Sequence, residues 1–277
     1  MPAAQSPVTE VLERRDETIH PASAELASES GHFDRESGRR VSPALASARV
    51  HSRRCATAPL LDNQLVQLRP SYPISTPRLR LRPLAVHDTE ELLAYRGRPE
   101  VCRYLPFEPM DEQVLTARLA GELGRREITA EGQGLTMGVE LAANGRLVGD
   151  VVLFFRSADH ARGEIGYVFH PDVAGQGYAA EACGAVLDLA FRDSDGLGLH
   201  RVVARMDARN APSVRLASKL GMRREAHFRS SEMFKGAWAD LVIYAMLDDE
   251  WDARCNDTST GTAASTGAED ARRSDDA

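Results

Sequence analysis

The stretch Gly163-Glu164-Ile165-Gly166-Tyr167-Val168-Phe169-His170-Pro171-Asp172-Val173-Ala174-Gly175-Gln176-Gly177-Tyr178-Ala179-Ala180-Glu181 constrains this chain more than any other. Its first part reads as a short apolar strand. Pro171 marks the exit, because proline lacks the N–H that a continuing ladder needs. Beyond it, Ala179, Cys183, Val186, Leu187 and Ala190 recur on one face of a helical period, while Glu181, Asp188 and Arg192 lie away from it. A glycine turn therefore opens directly onto a helix N-terminus. The first backbone N–H groups of a helix lack intrahelical partners and carry the positive end of its dipole, so a phosphate can approach where side chains are missing.

Two other readings of the turn compete with an anion cradle. Gly175-x-Gly177-x-x-Ala180 fits the loose dinucleotide fingerprint. In that fold the first glycine follows its strand almost at once, and an acidic residue ends the next strand about 20 residues on. Here His170 to Ala174 intervene, and Asp207 comes too late. The third reading is a plain strand-to-helix turn with no ligand.

Of the 277 residues, both ends look unlike the middle. Met1 to about Asn63 is rich in Ala, Ser, Pro, Glu and Arg, without a sustained period, and cannot bury enough to offset its chain entropy. The expected organisation is a disordered tail over residues 1–66, one folded domain over 67–251 and a disordered tail over 252–277. Val8 to Arg14 is expected to be transiently helical at most.

Within the middle, Leu79-Arg80-Leu81-Arg82-Pro83-Leu84 alternates as a strand with leucines inward and arginines in water. Asp88 with Glu91 resembles a capping box before a helix carrying Leu92, Leu93 and Tyr95. A second helix is predicted from Asp111 to Arg125 on Val114, Leu115, Leu119 and Leu123, and the loop Tyr104-Leu105-Pro106-Phe107 before it is a place for an acceptor. Leu135 to Leu141 and Leu147 to Phe155 form a hairpin across Asn144-Gly145. After the central stretch come a strand over His200 to Asp207 and a short helix capped by Asn210, with Pro212 in its first turn and Gly221 as its stop. Strands over Met222 to Phe228 and Leu241 to Leu247 complete the chain. The fold class is α/β (α+β): a mixed, mostly antiparallel twisted sheet of about six to seven strands with helices on both faces, parallel around the glycine turn.

Composition narrows the function. A net charge of −7 argues against a nucleic-acid partner and mildly favours cationic ones. Cys55, Cys102, Cys183 and Cys255 are scattered without a C-x-x-C pair or His cluster, so no metal and no disulfide framework is expected, and a reducing compartment is the natural reading. No apolar run reaches membrane-span length and the N-terminus has no apolar leader, so a soluble cytoplasmic protein without membrane contact, monomer or homodimer, is expected. Lys219 and Lys235 are the only lysines, which reads as coding bias.

Taken together, the order of elements and the residues resemble the GNAT N-acetyltransferase family and its RimJ/RimL-type branch, over about Pro73 to Trp251. The resemblance rests on Tyr167-Val168-Phe169-His170-Pro171 running into Ala174-Gly175-Gln176-Gly177-Tyr178-Ala179-Ala180-Glu181-Ala182. It rests also on Asn210-Ala211-Pro212-Ser213 with Lys219-Leu220-Gly221-Met222, and on Gly236-x-Trp238-x-Asp240-x-x-x-Tyr244. One departure is Ala174, where the family's loop usually starts with Gln or Arg.

The resemblance implies acetyl-CoA as cosubstrate. Tyr167, Val168 and Phe169 would face the pantetheine arm, and Ala174, Gly175, Gln176, Gly177, Tyr178 and Ala179 would take the pyrophosphate. Asn210 and Ser213 would stand near the pantetheine or thioester end, although Asn210 is equally well explained as a helix cap. Acetyl transfer needs a neutral amine, oxyanion stabilisation and a proton for the leaving thiolate. A backbone N–H near Val168 is the implied oxyanion donor. Glu225 and Glu164 are the candidate bases, and Ser213 and Tyr244 the candidates to protonate the thiolate. Each has a plainer explanation, as solvated strand carboxylate, first-turn serine or core tyrosine. His170 and His227 read as bystanders and Cys183 as packing, not an acyl-enzyme nucleophile. The expected activity is direct acetyl transfer in a ternary complex to a primary amine. A protein or peptide α-amino group comes first and a small-molecule amine such as an antibiotic or polyamine second. The rival from another class is a non-catalytic acyl-CoA-binding module.

Overall fold

Leucine–arginine alternation at Leu79–Pro83 starts a sheet, and each later strand is laid against it. A computed structural model of the chain describes residues 68–192 and 196–255. The expected disorder of residues 1–66, the Val8 to Arg14 helix and the tail beyond residue 255 lie outside the described residues. In chain order the elements are β1 (Ile74–Ser75), β2 (Leu79–Pro83), α1 (Thr89–Arg96), α2 (Pro99–Cys102), α3 (Glu112–Ala120), β3 (Gly134–Leu141), β4 (Leu147–Ser157) and β5 (Arg162–Phe169). There follow α4 (Tyr178–Phe191), β6 (Arg201–Asp207), α5 (Ala211–Lys219), β7 (Arg223–Phe234), β8 (Ala237–Leu247) and α6 at residues 248–255.

The described strands form one eight-stranded sheet in the order β1-β2-β3-β4-β5-β6-β8-β7. Every pairing is antiparallel except that of β5 with β6, which matches the mixed, mostly antiparallel sheet expected. The strand beyond the expected count is β1, two residues long and too short to show a period. Asn144-Gly145 makes the predicted hairpin turn, with Gly145 at φ 74°.

Period 2 sends alternate side chains to opposite faces. Val151, Leu153, Ile165, Val202, Ala204, Val242 and Tyr244 pack with Cys183, Val186, Leu187 and Ala190 of α4. On the other face, Leu147 and Val168 meet Leu92 and Tyr95 of α1 and Leu115 and Leu119 of α3. Inside this second layer lies a charged pair. Asp150 of β4 is 0% exposed and Arg96 of α1 is 4% exposed. Arg96 donates to Asp150 through Nε at 3.0 Å and Nη2 at 2.5 Å, and the Tyr95 hydroxyl donates to the same carboxylate at 2.7 Å. A buried bidentate pair of this kind ties a helix to a strand with both direction and position fixed.

Several local expectations change. Arg82 is not in water: it donates to both Asp88 oxygens at 2.9 and 2.7 Å and to Glu140 at 2.6 Å. Asp88 is thereby diverted from capping α1, and accepts instead from the Ala85 N–H at 2.8 Å. The second helix stops at Ala120 rather than Arg125, because Gly121 leaves the helical region at φ −118°, ψ −114°. Leu123 is buried from the turn that follows, and Val114 is 46% exposed. The last hairpin is longer than predicted. β7 continues to Phe234 on the sheet edge, where both faces meet solvent and no alternation is imprinted on the sequence. The folded chain also runs past residue 251. Trp251 donates to Asp188 at 2.9 Å and Arg254 to the Lys219 carbonyl at 2.8 Å, so residues 252–255 are helical where a disordered tail was expected.

Removing Arg96 leaves Asp150 as a buried carboxylate without its ion-pair partner. Arg96→Met should cost about 3–5 kcal/mol of unfolding free energy in urea melts, and a loss under about 1 kcal/mol would contradict a structural role for the pair.

Candidate active site

β5 and β6 run side by side for three rungs, Arg162↔Arg201, Gly163↔Val202 and Glu164↔Val203, and then part. On its other edge β5 continues along β4 to the rung Gly149↔Phe169. The His170 N–H bonds the Val148 carbonyl at 2.8 Å, and ladder bonds alternate, so Val168 and Gly166 use their backbone groups toward β4. Those of Tyr167 and Phe169 point the other way, into the opening, where β6 forms no rung with them. The Tyr167 hydroxyl donates to the Ser213 carbonyl of α5 at 3.2 Å, bracing the far side of the opening. An amide-bearing chain laid here meets strand backbone with unused donors and acceptors.

At the end of β5 the chain makes a 3₁₀ turn at Pro171–Val173 and reaches the glycines. Gly175 and Gly177 stand at φ 78° and 83°, a left-handed conformation that favours glycine. Gly177 is the N-cap of α4 and has no side chain to offer the helix, so the first-turn N–H groups remain directed outward. A Cβ added at Gly175 would meet nothing within 4 Å. At Gly177 it would stand 3.4 Å from Arg78 Nη2 and 3.9 Å from Lys219 Nζ.

Two cations therefore lean over the positive end of a helix. Arg78 is held there by Glu181 at 2.6 Å, by the Gln176 carbonyl at 3.0 Å and by the Tyr178 ring at 4.6 Å. The Lys219 ammonium forms no hydrogen bond or ion pair among the described residues. Arg78 is paired with the Glu181 carboxylate in the first turn of α4, so the unmatched positive charge here is that of the Lys219 ammonium and the helix dipole, which an anion can join. Backbone donors, left-handed glycines and two cations together suit a pyrophosphate, so the residues present fit the expected cosubstrate. They also supply the charge that Ala174 does not. Sequence reasoning missed both cations. Arg78 is hidden beside the alternating arginines of β2, and the signal at Lys219, a lysine in a chain that otherwise uses arginine, was absorbed by composition.

The opposite face of the opening carries Glu164, Gly166 and Val168 from β5 and Val203, Arg205 and Asp207 from β6. Glu164 sits on the last shared rung, 20% exposed, with Arg156 Nε at 3.1 Å. Glu225 occupies a bulge of β7 and is ion-paired with Arg201 and with Arg223. The bond from Arg201, ahead of the other contributions, holds its carboxyl below the usual range. Because Arg201 belongs to the first rung, Glu225 is anchored at the closed end of the splay. The expected acceptor loop is bridged as well: Lys235, at the β7–β8 turn, donates to the Cys102 and Phe107 carbonyls at 2.9 Å each.

The remaining candidates divide. Asn210 accepts the Ser213 N–H at 3.3 Å and is seen as a cap. Ser213 lies beside the opening through its contact with Tyr167. Tyr244 is buried on the α4 side, opposite Ala204. His170 accepts the Asp172 N–H at 3.2 Å, which shapes the turn, and His227 pairs with Asp240 at 2.9 Å. Cys183 is buried and burial pushes its thiol pKa up, which suits packing and not nucleophilic attack. No group of three or more His, Cys, Asp or Glu able to hold a metal occurs among the described residues.

Gly177→Ala places a Cβ on a left-handed backbone beneath the two cations. It should weaken CoA binding by at least about tenfold, while Lys219→Met should weaken it about fivefold and flatten its salt dependence. Calorimetric affinities within twofold of wild type for both variants would show that the phosphates bind elsewhere.

The comparisons with known proteins agree with this geometry. Residues 78–223 match the family model described as Acetyltransferase (GNAT) domain. The Bacillus subtilis (strain 168) protein named Uncharacterized N-acetyltransferase YnaD is 30% identical over 181 residues, spanning 64% of this chain and 98% of that protein. The crystal structure of the acetyltransferase (GNAT family) from Bacillus anthracis superposes with a TM-score of 0.56 at 30% identity, over 64% of this chain and 98% of that one. A GCN5-related N-acetyltransferase from Brucella melitensis gives 0.57 at 25% identity, over 70% and 86%. The splayed strands, the glycine turn and these matches lead to one conclusion: the chain belongs to the GNAT family of acetyl-CoA-dependent N-acetyltransferases.

Proposed function

We propose that the enzyme acetylates the N-terminal α-amino group of a protein or peptide, as in the RimJ/RimL-type branch, by direct transfer in a ternary complex. The observation that carries the reading is the pair of unpaired backbone positions, Tyr167 and Phe169, lying between the glycine cradle and the carboxylate of Glu164. Acetyl-CoA supplies the activated acyl group and the thiolate leaving group. Tyr167 and Phe169 hold the pantetheine arm through backbone, Val168 forms the floor beneath it, and the outward N–H groups of the opening serve the oxyanion. Residues 174–179, with Arg78 and Lys219, take the phosphates. Ser213, at the edge of the opening, returns a proton to the sulfur, and Tyr244 stands behind β6 as the second candidate.

Glu164 is the better placed base. It lies where the strands part, on the face turned away from α4, and is paired with Arg156 alone, whereas Glu225 is committed to two arginines that lower its basicity. An α-amino acceptor suits such a site. With a pKa of about 8 it is roughly one-tenth neutral at pH 7, whereas an amine of pKa about 10.4 is under one-thousandth neutral. A carboxylate beside it then takes the proton that the nitrogen gives up as it attacks the thioester. A cytoplasmic working place is consistent with a reaction that consumes acetyl-CoA. No helix among the described residues is long and apolar enough to cross a membrane.

Glu164→Gln keeps size and most hydrogen bonds but removes the base. Its kcat on a short peptide should fall by at least about 100-fold with CoA affinity unchanged, and the deficit should shrink at high pH as the amine loses its proton unaided. Glu225→Gln should stay within about threefold. The reverse pattern would move the base to β7. Losses under about tenfold in both would leave positioning and oxyanion stabilisation as the main contributions.

A further inference from the structure

Five glycines lie inside the described strands, and at four of them a neighbour occupies the place of the missing side chain. A Cβ built at Gly134 would stand 2.7 Å from the Phe154 ring, at Gly138 2.5 Å from Leu84, at Gly149 2.5 Å from the Phe169 ring and at Gly163 2.5 Å from Leu199. Gly166 of β5 is the exception. It is half-exposed, and a Cβ there would meet one atom within 4 Å, Val152 Cγ1 at 3.0 Å. A glycine inside a strand gives up backbone entropy and a packing side chain, and it is kept where the strand bulges or where another group comes close to the backbone. No bulge accounts for this one: the β4–β5 register runs unbroken from Gly149↔Phe169 through Val152↔Gly166 to Phe155↔Gly163. Nor does its φ fall in the left-handed region.

The open place lies where the acceptor must pass. Ile165 packs into the core beneath α4, so Glu164, Gly166 and Val168 alternate onto the opposite face, and β6 has left the ladder before Gly166. With the base at Glu164 and the thioester arm on the backbone of Tyr167 and Phe169, a nitrogen within about 3–3.5 Å of the acyl carbon stands in front of Gly166. We infer that Gly166 makes room for the branch on the carbon that carries the amine, so that the enzyme prefers a peptide whose first residue has a side chain. This rests on the α-amino reading above and narrows it. An N-terminal alanine places its methyl in the space that a Cβ at position 166 would fill, against the Val152 methyl, whereas an N-terminal glycine leaves that space to water. Basicity does not separate the two, since both are α-amino groups with a pKa of about 8.

The test uses the full chain with two short peptides that differ only in an N-terminal alanine or glycine, and spermidine as a third acceptor. Wild type should favour the alanine peptide in kcat/KM by about threefold or more, as expected for burying one methyl group. Gly166→Ala sets a methyl in the recess. It should lower kcat/KM for the alanine peptide by at least about tenfold, while the glycine peptide and CoA affinity stay within about threefold, so that the preference inverts. Val152→Ile, which extends the Cγ1 bordering the recess and leaves β5 unaltered, serves with the same expected inversion if the alanine variant loses cooperative thermal unfolding. Equal losses on the two peptides, or no loss on either, would overturn the inference while leaving the α-amino reading intact. Wild type that acetylates spermidine but neither peptide would overturn both.

Discussion

The separation of β5 from β6 after the rung Glu164↔Val203 is the constraint on which the site depends. A sheet that stayed zipped would satisfy the backbone of Tyr167 and Phe169 internally. Parting after three rungs leaves those groups for a ligand, and it does so on a strand whose other edge is held by β4 along its whole length. The opening is therefore rigid. On one side the Tyr167 hydroxyl reaches α5, and on the other the Glu164 carboxylate stands on the last shared rung. Preorganised donors of this kind need no rearrangement at the moment of reaction.

Beneath the opening, the buried Arg96–Asp150 pair serves the same end. Asp150 is directly across the ladder from Val168, so the carboxylate that anchors α1 shares a rung with the floor of the proposed pantetheine track. Replacement by well-packed apolar residues is often neutral or stabilising for such pairs, which makes positional definition the more reasonable benefit than stability. Lys235 adds a second tie, holding the β7–β8 turn to the end of α2 and the loop after it.

Much of this was legible in the residues. The glycine turn, the helix after it, the Asn144-Gly145 hairpin and the mixed sheet follow from turn chemistry and periodicity, which act locally. What could not be read depends on contacts distant in sequence. Arg82 and Arg78 look like solvated members of an alternating strand, yet their partners, Asp88, Glu140 and Glu181, are met only once the sheet has formed. Edge strand β7 carries no alternation because it has no buried face, so its length was understated. The sequence offers Glu225 and Glu164 alike as strand carboxylates and says nothing of the two arginines around Glu225.

Hydrogen–deuterium exchange with and without saturating acetyl-CoA tests the central claim most directly, since it reads the backbone groups that the parted strands leave unused. The amides of Tyr167 and Phe169 and of residues 174–179 should exchange at least about tenfold more slowly with the ligand bound, while the β7–β8 turn around Lys235 keeps its rate. Unchanged exchange in both segments at a concentration where acetyl-CoA is bound would place the cosubstrate elsewhere and contradict the account.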